Sequence, residues 1–177
     1  MVFRIRQVKK EIRVLGIAVE RSGDEGFDAV GVVFRGSLWL DGVMSTHARG
    51  PDLTQDIAEM IVGSSHLPQI RVLLLEGTTF DGSCVIDPFR LSCTVVRPLI
   101  VLSPKVGGPK LEVPAGRVAE CFELKTGDAG SSILAIGLRR REAIKVIDVT
   151  TGVGSMPEAL RVAKMVASAV RDLKQKI

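Results

Sequence analysis

Apolar positions come in short unbroken runs along most of this chain and in a helical stripe near its end. Residues 12–19 (IRVLGIAV) form a run of strand length. Residues 29–34 and 38–44 read as two more strands. A polar, glycine-containing turn at 21–26 and the punctuation Arg35-Gly36-Ser37 separate them. Spacing this close predicts antiparallel hairpins. Residues 45–51 read as a loop. Asp52 is placed to cap a helix with Gln55 as capping-box partner, and Leu53, Ile57, Met60 and Ile61 share one face of it. Gly63-Ser64-Ser65 ends that helix. Residues 71–75 (RVLLL), closing on Glu76-Gly77, read as a strand buried on both faces, which predicts a central strand covered by helices.

Asp87 is placed to cap a short helix through Cys93, and residues 98–102 (PLIVL) are a further buried strand. Residues 121–124 and 133–138 predict two strands around a polar turn at 126–131. Residues 139–149 predict a helix with Ala143, Ile144 and Ile147 on one side. Pro157 opens the last helix, where proline is tolerated. Its stripe runs through Leu160, Ala163, Val166, Val170, Leu173 and Ile177, and Arg171, Lys174 and Lys176 at its end suit the helix dipole.

The 177 residues suit one domain, 1–177, long enough to bury a core without staples. The three cysteines, Cys84, Cys93 and Cys121, are odd in number and lack a C-x-x-C spacing. They read as small hydrophobes in a reducing, cytoplasmic compartment rather than disulfides or a zinc site. Only His47 and His66 could partner a nucleophilic Cys84, and neither sits in a Cys/His pattern. Residues 1–13 are basic without a long apolar run, and no stretch of about 18 apolar residues exists, so no signal peptide or membrane span is expected. With six Phe, one Trp and no Tyr, a stacking platform for bases is not expected. The formal charge of +4 is compatible with nucleic acid without requiring it.

Three hairpin strands followed by helix, strand, helix, strand is the order of the ribonuclease-H-like fold. The stretches KKEIRVLGI (9–17), GVVFRGSLWLDGV (31–43), RVLLLEGTTFDG (71–82), PLIVLSPK (98–105) and MPEALRVAKM (156–165) resemble the archaeal endonuclease V-like family. The resemblance runs from near the N-terminus to the last helix. It implies an α/β fold with a mixed sheet, three antiparallel strands and then parallel strands, flanked by helices. It also implies metal-dependent cleavage of nucleic acid near a deaminated base. Such chemistry needs at least two converging carboxylates around Mg²⁺.

The acidic positions depart from that pattern. Where the family carries Asp-Asp-Gly after the first strand's Gly-Ile, this chain has Ala18, Val19 and Glu20. Glu20 either reaches back toward the site or opens a solvated turn. The Val-Asp-Gly-x-Asp pattern before the first helix reads Ala48-Arg49-Gly50-Pro51-Asp52, so Arg49 replaces an acid and Asp52 remains as ligand or helix cap. The Asp-Gly after the central strand is Glu76-Gly77, the best-placed acid of the chain. Asp41 and Asp81 read as turn residues. Lys105 resembles a lysine that lies near substrate phosphate in endonuclease V, and Pro157-Glu158 with Arg161 echoes a shared Pro-Glu-x-x-Arg motif.

Three functions follow. In the first, Glu20, Asp52 and Glu76 converge on Mg²⁺ and the chain is an endonuclease acting on deaminated nucleic acid, with Glu76 and Asp52 catalytic. In the second, the acidic site is degenerate and the chain is a catalytically impaired module for single-stranded or structured nucleic acid. Arg49, Lys105, Arg161 and the Arg139-Arg140-Arg141 cluster then contact phosphates. In the third, the fold serves protein interaction alone. The departures at Ala18 and Arg49 favour the second.

Overall fold

Apolar runs separated by tight polar turns fold back on one another as β1 (Arg13–Arg21), β2 (Phe27–Arg35) and β3 (Trp39–Ala48), antiparallel throughout. The computed structural model of the chain describes residues 3, 7–22, 26–104, 113, 115–116, 118–126 and 129–174. After β3 come α1 (Thr54–Val62), β4 (Val72–Glu76), the short hairpin β5 (Thr79–Phe80) and β6 (Cys84–Val85), α2 (Pro88–Val95) and β7 (Leu99–Pro104). β8 (Ala119–Thr126), β9 (Ala129–Ile136), α3 (Arg140–Thr150) and α4 (Glu158–Lys174) complete the order.

The main sheet has seven strands in the order β3-β2-β1-β4-β7-β9-β8. β4 is its middle strand, parallel to β1 on one side and to β7 on the other. That position explains its unbroken apolar run: a strand covered on both faces has no polar side to show. Leu15, Ile17, Leu73, Leu75 and Val101 point to one core layer with Ile57, Ile61 and Leu91 of α1 and α2. Val14, Val72, Leu74 and Ile100 point to the other, with Ala143, Ile147, Leu160 and Ala163 of α3 and α4. This is the α/β mixed sheet flanked by helices that the strand order predicts.

Several local expectations differ. The loop expected at 45–51 is shortened, because β3 continues to Ala48. Asp52 is not the N-cap of α1. Leu53 holds that position, and the Asp52 carboxylate accepts instead from the Thr54 backbone N–H at 2.9 Å. Gln55 makes no capping box; its Nε2 donates to Glu59 one turn on. Asp87 does cap α2, accepting from the backbone N–H groups of Phe89 and Arg90. Asp41 is not a turn acid. It lies within β3 and accepts from Arg13 and Arg35, and the Arg35 guanidinium holds its carboxyl below the usual range. The buried stripe of α4 runs through Ala159, Leu160, Ala163 and Ala167, while Leu173 is exposed. Ile177 lies outside the described residues.

The small residues on α4 have a structural cause. A Cβ added to Gly16 would lie 2.3 Å from the Ala159 carbonyl carbon, so the helix backbone rests directly on β1. Only glycine below and alanine above permit so close a crossing. The contact sets α4 over the C-terminal ends of β1 and β4.

Candidate functional site

In an open α/β sheet the ends of parallel strands are where side chains from different elements meet. Here the parallel strands β1 and β4 run in register, Ile17 beside Leu75, so the next residues, Ala18 and Glu76, stand level. Glu76 shares the face of Leu74, the face covered by α4, because alternate strand residues point the same way. Gly77 follows at φ +71°, where the chain turns off the strand.

The residue that meets Glu76 is Lys164 of α4, its Nζ 2.5 Å from Oε2. Its only signal in the sequence is the spacing of Arg161, Lys164, Arg171 and Lys174, which line one side of α4 at helical intervals. The other expected acids are paired in the same manner. Glu20 accepts from Arg171 at 2.9 Å. Asp52 pairs with Arg90 of α2 at 2.5 Å and is held below the ordinary carboxylate range by hydrogen bonds from Thr54, with Arg90 adding to the effect. Arg161 donates to Glu158 through Nε and one terminal nitrogen at 2.9 and 2.7 Å, the helix-start ion pair the spacing predicts.

Asp28 adds a further ion pair to this end of the sheet. It stands opposite Glu20 in the β1–β2 ladder and opposite His47 in the β2–β3 ladder. It is 5% exposed, and its carboxylate accepts from Lys174 at 2.8 Å and from His47 Nδ1 at 2.9 Å. Burial alone would raise its pKa, but Lys174, His47 and Ser22 together lower it. Two carboxylates facing each other across an antiparallel pair repel unless cations intervene. Arg171 and Lys174 are those cations. Lys164, Arg171 and Lys174 thus tie α4 to β4, β1 and β2 in turn.

Glu20, Asp52 and Glu76 each have a cation partner of their own. Lys164 and Arg171 are seven residues apart, about 10 Å along the helix axis. Asp52 is paired on the opposite face, by α2. Mg²⁺ asks for several anionic oxygens in near-octahedral array. At the end of β4 the donor set is one carboxylate, a methyl group level with it at Ala18, and an ammonium in contact. The residues present do not fit a divalent ion. Among the described residues, no group of three His, Cys, Asp or Glu is placed to hold one.

Arg49 is exposed, just past the end of β3 and ahead of Gly50 at φ +111°. Arg140 of the expected arginine cluster lies 5.1 Å over the Phe122 ring, and its backbone N–H donates to Glu120. Lys105 lies outside the described residues. Cys84 is buried, and burial pushes its thiol pKa up, with nearby Asp52 adding to the effect, so it is poorly suited to nucleophilic work. No helix among the described residues is long and apolar enough to cross a membrane.

Comparison with known proteins agrees with this architecture. Residues 10–113 match a family described as endonuclease dU. A UPF0215 protein of Methanothermobacter thermautotrophicus is 36% identical over 190 residues, spanning 93% of this chain and 90% of that one. A crystal structure of a protein of unknown function from Archaeoglobus fulgidus superposes with a TM-score of 0.73 at 26% identity, over 89% of this chain and 97% of that one. Ciona intestinalis endonuclease V, solved with a 24mer DNA containing an inosine, superposes with a TM-score of 0.64 at 15% identity, over 99% and 90% of the two chains. The fold is ribonuclease-H-like.

Proposed function

The chain belongs to the endonuclease dU family, and from that premise we propose that it is a nucleic-acid-binding module of endonuclease V type whose acidic site no longer supports metal-dependent hydrolysis. The observation that carries this reading is the pairing of Glu76 with Lys164 beside Ala18. The positive charge at the strand ends comes from a side chain of α4. A fixed ammonium can attract a phosphate, but it cannot lower the pKa of a water as a bound metal does.

Arg49 is suited to contact phosphate at the edge of this site, and Arg161 and Lys105 are further candidates. Arg161 is engaged with Glu158, so its contribution requires that pair to be shared with the ligand. Binding of this kind is led by the backbone of the nucleic acid and is sensitive to salt. The family description makes deoxyuridine-containing DNA a natural probe, and the Ciona complex makes inosine-containing DNA another.

The test is a fluorescence-anisotropy titration of single-stranded DNA and RNA against salt. The reading expects affinity that falls with salt, and a shallower salt slope in Arg49→Ala by about 0.7 for one lost single-strand phosphate contact. Affinity independent of salt, or none at low salt, contradicts it. The family description favours a second reading, a metal-dependent endonuclease in which Glu76 leaves Lys164 to bind Mg²⁺. Cleavage in Mg²⁺ that is lost in Glu76→Ala would establish it.

A further inference from the structure

The two edges of the main sheet differ in kind. β8, at one edge, carries Glu120, Glu123 and Lys125 on its exposed positions. Charges of this sort keep a free strand from pairing with another chain. β3, at the other edge, is ten residues long and has no lysine, arginine, glutamate or proline. Its two ionisable side chains are engaged within their own copy, Asp41 with Arg13 and Arg35, and His47 with Asp28.

This edge and the turn leading into it expose apolar side chains. Leu38 is 78% exposed, Trp39 62%, Leu40 54% and Val43 48%. Leu40 and Val43 stand opposite Phe34 and Val32, which point into the core beneath α3 and α4. Both therefore project from that face of the sheet, beyond the part that α4 covers on β1 and β2. Exposed apolar side chains on an edge strand with open backbone groups are the usual mark of strand addition.

We propose that β3 is a self-association edge, and that β3 of a second copy pairs with it antiparallel across a two-fold axis perpendicular to the sheet. The chemistry of the edge selects this occupant. The strand offers phosphate no basic side chain except the engaged His47, so nucleic acid is a poor partner here. A lipid surface cannot satisfy a row of backbone N–H and C=O groups. A second β3 satisfies them, and with the axis at Val43 it sets the two Val43 side chains against each other and Asp41 opposite Ser45, so no like charges meet. The pairing is isologous and closes as a dimer.

Magnitude sets the kind of dimer. Ten residues at about 3.4 Å give an edge about 34 Å long, and a sheet about 10 Å thick then offers roughly 340 Å² of flat contact per partner. A standard interface buries about 800 Å² per partner. The association is therefore expected to be weak and concentration-dependent.

Sedimentation velocity on the full chain from about 1 to 300 μM tests the proposal. The wild type is expected to shift from a 19.0 kDa monomer to twice that mass across the range. Val43→Lys and Leu40→Lys are expected to stay monomeric throughout, with unchanged circular dichroism and melting temperature. Ser45→Lys, which removes no apolar contact, guards against loss of folding and is expected to behave alike. A wild type that remains monomeric at 300 μM, or a dimer that survives all three substitutions, overturns the proposal.

Discussion

At the scale of single residues, the three carboxylates facing α4 are held by charge pairs of unequal depth. Asp28 is nearly buried, so Asp28→Asn removes a charge whose partner Lys174 keeps its own. Breaking a buried pair costs several kcal/mol, and the half-exposed lysine lowers that to about 2 kcal/mol. Urea denaturation reads the loss. Lys164→Ala acts at a shallower site, with the Glu76 side chain 25% and Lys164 47% exposed, and is expected to cost no more than about 1 kcal/mol. A larger loss for Lys164→Ala than for Asp28→Asn would reverse the ranking of the two pairs.

The pH dependence follows from the same residues. Asp28, Asp41 and Asp52 all have carboxyls depressed by their partners. A depressed carboxyl stabilises the fold above its unfolded pKa, near 3.9, and that contribution is lost as pH falls through the folded value. Stability from these groups is thus complete at neutral pH and declines in acid below about pH 4. Melting temperatures between pH 7 and 2.5 check the sign, and Asp28→Asn should flatten the acid limb.

At the scale of elements, α4 is the part that decides what the strand ends can do. Its backbone lies on Gly16, and Gly16→Ala would force a Cβ into the Ala159 carbonyl. The helix must lift or the strand must bend. A loss of about 3 kcal/mol is expected, together with weaker pairing of Lys164, Arg171 and Lys174 to the sheet. A stable Gly16→Ala variant with native spectra would contradict the close crossing. The sequence conveyed the presence of this helix, because Pro157-Glu158 and the later stripe are strong local signals. It did not convey which face is buried. Ala159, Ala163 and Ala167 carry little hydrophobic signal against Val166, Val170 and Leu173, and only contact with a glycine in another element makes them the packed face. The β5–β6 hairpin is silent in the sequence for a related reason, since two-residue strands leave no periodicity. Asp41 resembles a turn residue in the sequence because Gly42 follows it, whereas the arginines that hold it come from other strands.

At the scale of the whole molecule, the sheet order and the covered central strand were legible, because long apolar runs and short turns constrain topology strongly. The site was legible only in part. Ala18, Arg49 and Glu76 could be located by resemblance, but their partners could not. Lys164 reaches Glu76 through the crossing of a helix over two strands, and no spacing in the sequence encodes that approach. The placement of α4 leaves a ribonuclease-H-like scaffold whose strand ends carry an internal cation.

The most direct measurement is to incubate the protein with labelled single-stranded DNA containing deoxyuridine or inosine, with Mg²⁺, with Mn²⁺ and with EDTA, resolving bound from free and intact from cut strands on parallel gels. The account predicts a salt-sensitive shift that is the same in metal and in EDTA, with the strand intact. Cleavage that requires the metal and disappears in Glu76→Ala would contradict it.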